Sequence, residues 1–322
     1  MKKKRNNIPL IALVGPTAVG KTEVSLILAE RFQGEIVSAD SRLIYKGLDI
    51  GTAKPTAEER GRVPHHLIDI TTPDRPITLA EYLELAQAAI EDVHKRGKVP
   101  FLVGGTGQYV WALIEGWKAP AVPPDEQLRR RLEEEARQQG VHVLYERLQQ
   151  LDPEAAARMD PKNLRRIIRA LEVIELTGQR FSEQQRKEPP PYDVLIIGLT
   201  RPREELYKRI DERIERMFAA GLVEEVRALL DAGYRSDLPA LTGIGYRQVV
   251  AYLEGKHSLE EAKHAIRKAT RRYVRHQYNW FRQTDPRIHW VDLSRPDALP
   301  RVEERVRDFL AKRKGQTTDA TR

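Results

Sequence analysis

Short apolar runs alternate with helical spacing of apolar residues along the first hundred positions. Four runs have the length of a buried strand and lie at residues 8–14, 35–40, 67–70 and 99–103. Apolar positions with helical spacing run from Val24 to about Phe32, and again from Leu79 to Arg96, where Gly97 marks the end. This alternation predicts an α/β fold, a doubly wound parallel sheet with helices on both faces.

The pattern changes between two proline-rich segments, 120–124 and 189–191, because only helical periodicity occurs between them. Strands are predicted again at 194–199 and 288–293, with helices at 203–232, 245–254 and 259–282. We therefore expect four regions: the first part of the α/β core (1–119), a helical insertion domain (120–191), the return to the core (192–311) and a polar, disordered tail (312–322).

Composition narrows the functional classes. Of 322 residues, 40% are hydrophobic, which is enough for a core, while no apolar run reaches the roughly 18 residues of a membrane span. The chain has no cysteine, which excludes disulfides, thiolate metal sites and a cysteine nucleophile. The basic N-terminus leads into a strand rather than a cleavage site, so we expect a cytoplasmic protein. Its net charge of +8 suggests a polyanionic partner.

The segment Gly-Pro-Thr-Ala-Val-Gly-Lys-Thr at 15–22, the phosphate-binding loop, matches the P-loop pattern in full and lies between a predicted strand and a predicted helix. Its glycines allow backbone N–H groups to surround phosphate oxygens, and the helix N-terminus adds positive potential. Lys21 supplies a charge, and the Thr22 hydroxyl is a candidate ligand of Mg²⁺. The candidate diphosphate-binding residues are Gly15, Thr17, Ala18, Val19, Gly20, Lys21 and Thr22.

A P-loop indicates a phosphate group without specifying which one, so both ATP and a simple diphosphate remain possible ligands. Many P-loop proteins have an aspartate at the end of a neighbouring apolar strand, where it helps to order Mg²⁺. Here the strand that ends at Val103 continues into Gly104, Gly105 and Thr106. An ordinary nucleotide hydrolase is therefore disfavoured.

Asp40 and Thr106 each follow a predicted strand, and ligands of open α/β sheets bind beyond the carboxyl ends of strands. We expect both side chains at the same edge as the phosphate-binding loop, with Asp40 as a general base or a neighbour of the metal. The alternatives are a capping or turn aspartate and a threonine that serves only the turn beside the glycines.

The segment from Lys263 to Arg282 contains seven cations, four interleaved aromatic residues and no acidic residue. Cations follow backbone phosphates and aromatic rings stack on bases, so the segment is a candidate nucleic-acid interface. The alternative is a solvated helix face with core aromatics. Residues 121–190 contain 13 basic and 13 acidic residues, so any nucleic-acid contact of the insertion depends on local placement.

Nine blocks of the chain, in this order and spacing, resemble the bacterial tRNA dimethylallyltransferases, also called tRNA isopentenyltransferases. The blocks lie at 15–22, 40–41, 44–55, 64–69, 102–109, 165–172, 221–226, 243–248 and 270–282. The resemblance extends from about residue 8 to residue 310. One departure is at Arg42 and Leu43, where the family often has Met-Gln, and it affects the contact expected from the Gln position.

The resemblance implies transfer of a dimethylallyl group from dimethylallyl diphosphate to the exocyclic amine of the adenosine 3′-adjacent to the anticodon of tRNA. The products are N6-dimethylallyladenosine and diphosphate, and Mg²⁺ is the expected cofactor. We expect a monomer that binds the anticodon stem-loop of tRNA. We do not expect it to bind a membrane.

The resemblance also assigns roles to individual residues. It implies that Asp40 is the base, that Thr106 lies near the reacting centre, and that Arg213 meets the charge of the diphosphate; without it, Arg213 would be taken for an exposed helix arginine. The predicted tRNA-binding residues are Asp40, Ser41, Arg42, Leu43, Thr106, Arg129, Arg165, Arg166, Arg169, Arg247, Arg271, Arg272 and Arg275. Two alternatives remain: an ATP-dependent P-loop kinase of small molecules, and a non-catalytic RNA-binding protein.

Overall fold

The computed structural model describes residues 7–118, 120, 122–184 and 187–318, with side chains to residue 313. Within these residues the strands are β1 Ile8–Val14, β2 Gly34–Ser38, β3 His65–His66, β4 Val99–Val103, β5 Tyr192–Thr200 and β6 Ile288–Asp292. The helices are α1 Lys21–Arg31, α2 Ala57–Arg62, α3 Leu79–Lys95, α4 Gly107–Ile114, α5 Glu126–Gln139, α6 Val141–Leu151, α7 Pro153–Ala157, α8 Leu164–Thr177, α9 Phe181–Gln184, α10 Arg203–Ala219, α11 Leu222–Asp231, α12 Tyr246–Leu253, α13 Leu259–Trp280 and α14 Ala298–Thr318.

The strands form one parallel sheet in the order β3-β2-β4-β1-β5-β6. The central strand β1 is apolar and is buried from Leu10 to Val14, as expected for a strand covered on both faces. One parallel sheet with helices between its strands confirms the predicted α/β fold class.

The carboxyl ends of four neighbouring strands meet at one edge of the sheet. In the pairing register, Leu13 lies beside Val103, Ser38 lies beside Val103 on its other side, and Val14 lies beside Gly198. The segments that follow these strands therefore share the edge, which is where a parallel sheet binds its ligands.

Two predicted elements differ from the structure, and one helix of the structure has no counterpart among the predicted elements. The third strand is β3, two residues before the predicted run, because Leu67 and Asp69 have φ of 65° and 57°, which a strand does not allow. The helix predicted over 203–232 is divided into α10 and α11 at Gly221, whose φ is 96°. Helix α4 was not predicted, because most of its residues are buried and it therefore lacks a polar face.

The last helix, α14, continues to Thr318, so it includes residues 312–318 of the predicted polar tail. Residues 319–322 lie outside the described part of the chain. Lysine, arginine and glutamine are good helix formers, and a polar composition alone does not prevent a helix. Arg313 also anchors the helix, because its guanidinium donates to the Asp193 carboxylate and to the Asn7 carbonyl.

Contacts divide the chain into two units. The larger unit comprises Met1–Ile77, Leu83–Ile114 and Pro191–Arg322, and it contains the sheet. The smaller, helical unit comprises Thr78–Tyr82 and Glu115–Pro190 and has its own apolar cluster, built by α5 to α9. Leu132, Leu144, Leu148 and Leu171 are fully buried in that cluster.

Candidate active site at the phosphate-binding loop

The phosphate-binding loop leaves β1 at Gly15 and enters α1 at Lys21. Gly15 has a φ of 141°, and a Cβ atom there would clash with the carbonyl oxygen of Leu199 on β5, so the position requires glycine. Gly20 precedes α1 without any side-chain cap, which leaves the first N–H groups of the helix available. Such a helix start is a suitable place for an anionic group.

Lys21 lies folded over the loop. Its Nζ donates to the carbonyl oxygens of Gly15 and Pro16, both at 2.9 Å. Burial lowers the pKa of Lys21 to about 8; the nearby Asp40 carboxylate opposes this shift, and the Arg213 guanidinium adds to it. Lys21 therefore lies within electrostatic range of both the predicted base and the predicted diphosphate arginine.

Three arginines surround the loop. Arg213 on α10 donates to Thr17 Oγ1 at 3.3 Å, and Arg209, one turn earlier, donates to the Ala18 carbonyl at 2.9 Å. Arg201 donates to the Val19 carbonyl at 2.9 Å. Burial lowers the pKa of Arg213, and so do the charges of Arg209 and Arg216. This concentration of positive charge suits a highly charged anion such as diphosphate.

Arg213 and Arg209 have no carboxylate partner among the described residues, whereas Arg201 also pairs with Glu205. The sequence alone did not reveal Arg201 or Arg209. The spacing of Arg209 and Arg213, four residues apart, was the available signal, because it places both side chains on one face of a helix.

Asp40 and Thr106 meet across the ends of β2 and β4. The Thr106 backbone N–H donates to the Ala39 carbonyl at 3.1 Å, and Thr106 Oγ1 accepts from the Ser41 N–H at 3.0 Å. A Cβ atom at Gly104 would clash with the Ala39 carbonyl oxygen, so the glycine in place of the usual aspartate permits this close approach. The structure thus brings the two predicted residues together.

One oxygen of the Asp40 carboxylate accepts a backbone hydrogen bond. Asp40 Oδ1 accepts from the Arg42 backbone N–H at 2.8 Å, and Oδ2 has no hydrogen bond from the described residues. The first bond is an Asx-type turn contact, which orients the side chain. Asp40 therefore serves the turn and still offers an oxygen to a ligand.

Helix α13 connects both sides of the site through two residues one turn apart. Buried Gln277 accepts from the Thr17 N–H at 2.8 Å and donates to the Gly105 carbonyl at 3.1 Å. Tyr273 lies near Thr106 and Asp40; burial and the charge of Asp40 raise the pKa of Tyr273, so its hydroxyl stays protonated. Sequence reasoning missed both roles because neither residue belongs to a recognisable motif.

The basic residues of α13 separate into two sets. Lys263 and Arg267 both pair with Glu215, and Arg271 pairs with Asp211 at 2.7 Å while its guanidinium lies over the Tyr207 ring. Lys268, Arg272 and Arg275 are exposed and have no ion pair with any residue in the described ranges. Arg272 and Arg275 are thus the two exposed cations among the three arginines predicted on this helix.

The aromatic residues of the same segment are also divided. Phe281 is fully buried, and Tyr278 bonds to Thr200 at 2.8 Å, so both contribute to the core. Trp280 remains 44% exposed.

In the helical unit, Arg129 and Arg169 converge on the buried carboxylate of Glu172. Arg129 binds it at 2.7 and 2.9 Å, and Arg169 binds it at 2.5 Å. Burial tends to raise the pKa of Glu172, but the hydrogen bonds from both arginines outweigh this effect and lower it. These two arginines, predicted to bind tRNA, therefore have a structural partner, while Arg165 and Arg166 are exposed.

The remaining predicted residues lie in the larger unit. Arg247 is exposed at the start of α12, and Leu43 is half-buried. Arg42 donates to the Pro239 carbonyl at 2.5 Å, which ties the Asp40 segment to the loop before α12.

None of the helices in the described part of the chain has the length and apolar character that crossing a bilayer requires.

A family model described as IPP transferase matches residues 43–284. The chain belongs to the IPP transferase family. Two relatives in this family are the tRNA dimethylallyltransferases of Thermomicrobium roseum, 51% identical over 302 residues (94% of this chain, 92% of that protein), and Roseiflexus castenholzii, 54% identical over 300 residues (93% and 98%).

Solved structures of IPP transferase relatives match the same fold. A tRNA isopentenylpyrophosphate transferase from Bacillus halodurans is 41% identical with a TM-score of 0.71, covering 96% of this chain and 99% of that one. A eukaryotic dimethylallyltransferase acting on tRNA is 28% identical with a TM-score of 0.81, covering 95% and 80%. These comparisons support the prenyltransferase hypothesis and not the kinase alternative.

Proposed function

We propose that this protein transfers a dimethylallyl group from dimethylallyl diphosphate to the exocyclic amine of the adenosine 3′-adjacent to the anticodon of tRNA. The observation that carries the proposal is the position of Lys21, which lies within electrostatic range of both the Asp40 carboxylate and the Arg213 guanidinium at the phosphate-binding loop. A diphosphate site and a candidate base thus share one crevice. Membership of the IPP transferase family supports the same reaction.

The diphosphate leaves with the electron pair of the carbon–oxygen bond as that bond breaks. The growing negative charge would be met by the loop N–H groups, Lys21 and Arg213, all fixed before reaction. Lys21 would exchange its contacts with loop carbonyls for phosphate oxygens. The hydroxyl of Thr106, held by Ser41, would lie near the reacting carbon.

The adenine amine forms the new carbon–nitrogen bond and loses one proton. Its lone pair is delocalised into the ring, so removing that proton assists the reaction, and the uncommitted Oδ2 of Asp40 would accept it. Base catalysis of this kind contributes about 10²- to 10⁴-fold to the rate. Exclusion of water would protect the developing allylic cation from hydrolysis.

Mg²⁺ fits the donor set of the site. In the described ranges no group of three or more His, Cys, Asp or Glu side chains could hold a metal ion, so a metal would depend on ligand phosphates. That is how Mg²⁺ usually binds, with one or two protein oxygens, phosphates and water. The Thr22 hydroxyl would hold it, and the ion would neutralise charge on the diphosphate.

An adenine inside a stacked loop has to be turned outward to reach a closed pocket, which costs a few kcal/mol. Phosphate contacts elsewhere on the tRNA would offset that cost, and the exposed cations Arg272, Arg275, Arg165, Arg166 and Arg247 are the candidates. We propose a cytoplasmic monomer, consistent with a tRNA substrate.

The test is incubation with unmodified tRNA, Mg²⁺ and dimethylallyl diphosphate, followed by mass analysis of the nucleosides. We expect adenosine carrying one added C5H8 unit, and Asp40→Asn should bind tRNA normally while losing about 10²- to 10⁴-fold of the rate. Absence of the modified nucleoside would refute the proposal. Binding without turnover would favour the non-catalytic RNA-binding alternative, and thermal stabilisation by ATP rather than by dimethylallyl diphosphate would favour the kinase.

A further inference from the structure

A cavity of about 450 Å³ lies between the first half of α10 and the second half of α13. Four arginines line it, and no acidic residue does. The arginines are Arg201, Arg203, Arg275 and Arg282, and the hydroxyl groups come from Thr200, Tyr207 and Tyr278. The lining includes no residue of the phosphate-binding loop itself, but the cavity is next to the diphosphate cradle described above, because Arg201 lines the cavity and also donates to the Val19 carbonyl of the loop.

The charge in this cavity is largely uncompensated. Arg201 pairs with Glu205, but Arg203, Arg275 and Arg282 form no ion pair with any residue that the structure describes. One helical turn before Arg275, Arg271 differs from these three arginines, because it pairs with Asp211 and its guanidinium lies over the Tyr207 ring. Guanidinium groups that converge on one space without a carboxylate repel one another, and a bound anion relieves that repulsion.

The donors suit a phosphate group in particular. Guanidinium groups bind phosphate oxygens through paired N–H donors, and hydroxyls add single hydrogen bonds. Thr200 and Tyr278 already lie within 2.8 Å of each other, which fixes two hydroxyls at one wall.

The cavity is also continuous with the exposed cations of α13. Arg275 lines the cavity and belongs to the exposed set with Arg272 and Lys268. A phosphodiester chain that follows these cations would arrive at the cavity, as backbone phosphates follow basic residues on nucleic-acid-binding surfaces.

We propose that this cavity is a second phosphate-binding subsite beside the diphosphate cradle, and that it holds a backbone phosphate of the tRNA. The tRNA origin rests on the proposed function. Free diphosphate presents the same chemical group, so the experiment distinguishes the two sources.

The test compares Arg203→Gln/Arg282→Gln with the control Arg307→Gln/Lys312→Gln. Both double variants remove two exposed cations, but the control residues lie on α14, away from the cavity. Filter binding of tRNA is measured over a range of salt concentrations. For the cavity variant we expect the slope of log affinity against log salt to decrease in magnitude by about 0.7 to 0.9, the value for one phosphate contact. The control should keep the slope of the wild type.

Inhibition by inorganic diphosphate is measured on the same variants. A several-fold weaker inhibition with an unchanged tRNA slope would assign the subsite to free diphosphate. If neither quantity differs from the control, the subsite does not exist. If the double variant unfolds, the single variant Arg282→Gln, at an exposed position, is compared with the control in both the salt dependence of tRNA binding and the inhibition by diphosphate. Failure of the proposed function would appear separately, as absence of the modified nucleoside with wild-type protein.

Discussion

The phosphate-binding crevice of the larger unit and the centre of the helical unit both contain arginines that were predicted to contact substrate. In the helical unit, Arg129 and Arg169 share the buried carboxylate of Glu172. In the crevice, Arg213 and Arg209 have hydroxyl and carbonyl partners and no carboxylate among the described residues. The first set shares a buried carboxylate, and the second has no carboxylate partner among the described residues.

The comparison teaches that the partner, rather than the residue type, separates a structural cation from a ligand-binding one. Buried charge is unfavourable unless it is paired, so a half-buried arginine without a carboxylate partner is a candidate for binding an anionic ligand. The same distinction divides α13, where Lys263, Arg267 and Arg271 are paired and Lys268, Arg272 and Arg275 are not.

The largest expected effect distinguishes Arg213 from Arg129. Arg213→Gln should lower kcat by about 10²- to 10³-fold, because it removes a preorganised charge from the leaving group. Its free energy of unfolding should stay close to that of the wild type, since no carboxylate loses a partner. Steady-state kinetics and urea denaturation measure the two quantities.

Arg129→Gln is the matched variant in the helical unit. It leaves the fully buried Glu172 carboxylate with one arginine, and the expected loss of stability is about 1 to 3 kcal/mol. At temperatures where the variant is folded and tRNA is saturating, kcat should remain near the wild-type value. The comparison fails if Arg213→Gln destabilises the protein and Arg129→Gln does not.

A smaller effect is expected from Gln277, which holds the phosphate-binding loop against the Gly105 carbonyl. Gln277→Leu removes both bonds, and misplacement of reacting groups by about 1 Å costs roughly 10²-fold in rate, so kcat should fall by up to that amount. Gln277→Glu retains an acceptor for the Thr17 N–H but adds negative charge beside the diphosphate. It should therefore mainly raise the KM for dimethylallyl diphosphate; equal effects of both variants on kcat and KM would indicate a purely structural role.

The two sets of cations on α13 should differ in salt dependence. Lys268→Gln/Arg272→Gln should decrease the slope of log tRNA affinity against log salt by about 1.4 to 1.8, if each residue contacts one phosphate. Lys263→Gln/Arg267→Gln removes the same charge from the paired set. It should leave the slope unchanged and cost less than about 1 kcal/mol of stability, as surface ion pairs do. Equal slopes for both variants would show that the exposed and the ion-paired cations of α13 do not differ in their contacts with tRNA.

The smallest effects are expected from changes in pH. Diphosphate binding in the crevice should weaken as the pH rises, whereas the stability of the helical unit should decrease as the pH falls. In the crevice, the pKa of Lys21 near 8 means that the ammonium group is lost as the pH rises through 8. From the protonated fractions, binding of diphosphate should weaken about fourfold between pH 7 and pH 8.5. Calorimetric titration measures it, and a flat profile would show that Lys21 remains charged.

In the helical unit, the pKa of Glu172 is lower in the folded protein than in the unfolded chain. The unfolded chain therefore binds more protons as the pH falls below about 4.5, and the stabilising contribution of the Glu172 ion pairs, present above that pH, is lost as the pH falls through the lowered pKa. Denaturation of Glu172→Gln should show a weaker acid dependence than that of the wild type.

The sequence predicted which edge of the sheet holds the candidate site, because parallel strands place their carboxyl ends together. The positions of the phosphate-binding loop, Asp40 and Thr106 follow from that rule and from three apolar runs. The partners of the side chains did not follow from it. Gln277 is 260 residues from Thr17, and Glu172 is 43 residues from Arg129, and no local pattern encodes such distances.

The prediction of secondary structure was correct where apolar spacing was regular. It was wrong where burial or backbone geometry dominated. Helix α4 has most of its residues buried, and the segment after β3 adopts positive φ at Leu67 and Asp69. Neither condition leaves a periodic signal in the sequence.

Helix α13 sets the angular relation between the exposed cations and the pair formed by Tyr273 and Gln277. Each residue of an α-helix turns the chain by about 100°. A single residue inserted between Arg272 and Tyr273 would keep Tyr273 and Gln277 in place and rotate every preceding cation by more than a quarter turn. The length of this helix therefore matters as well as its composition, since an insertion or deletion would turn the exposed cations away from their present alignment with the candidate site.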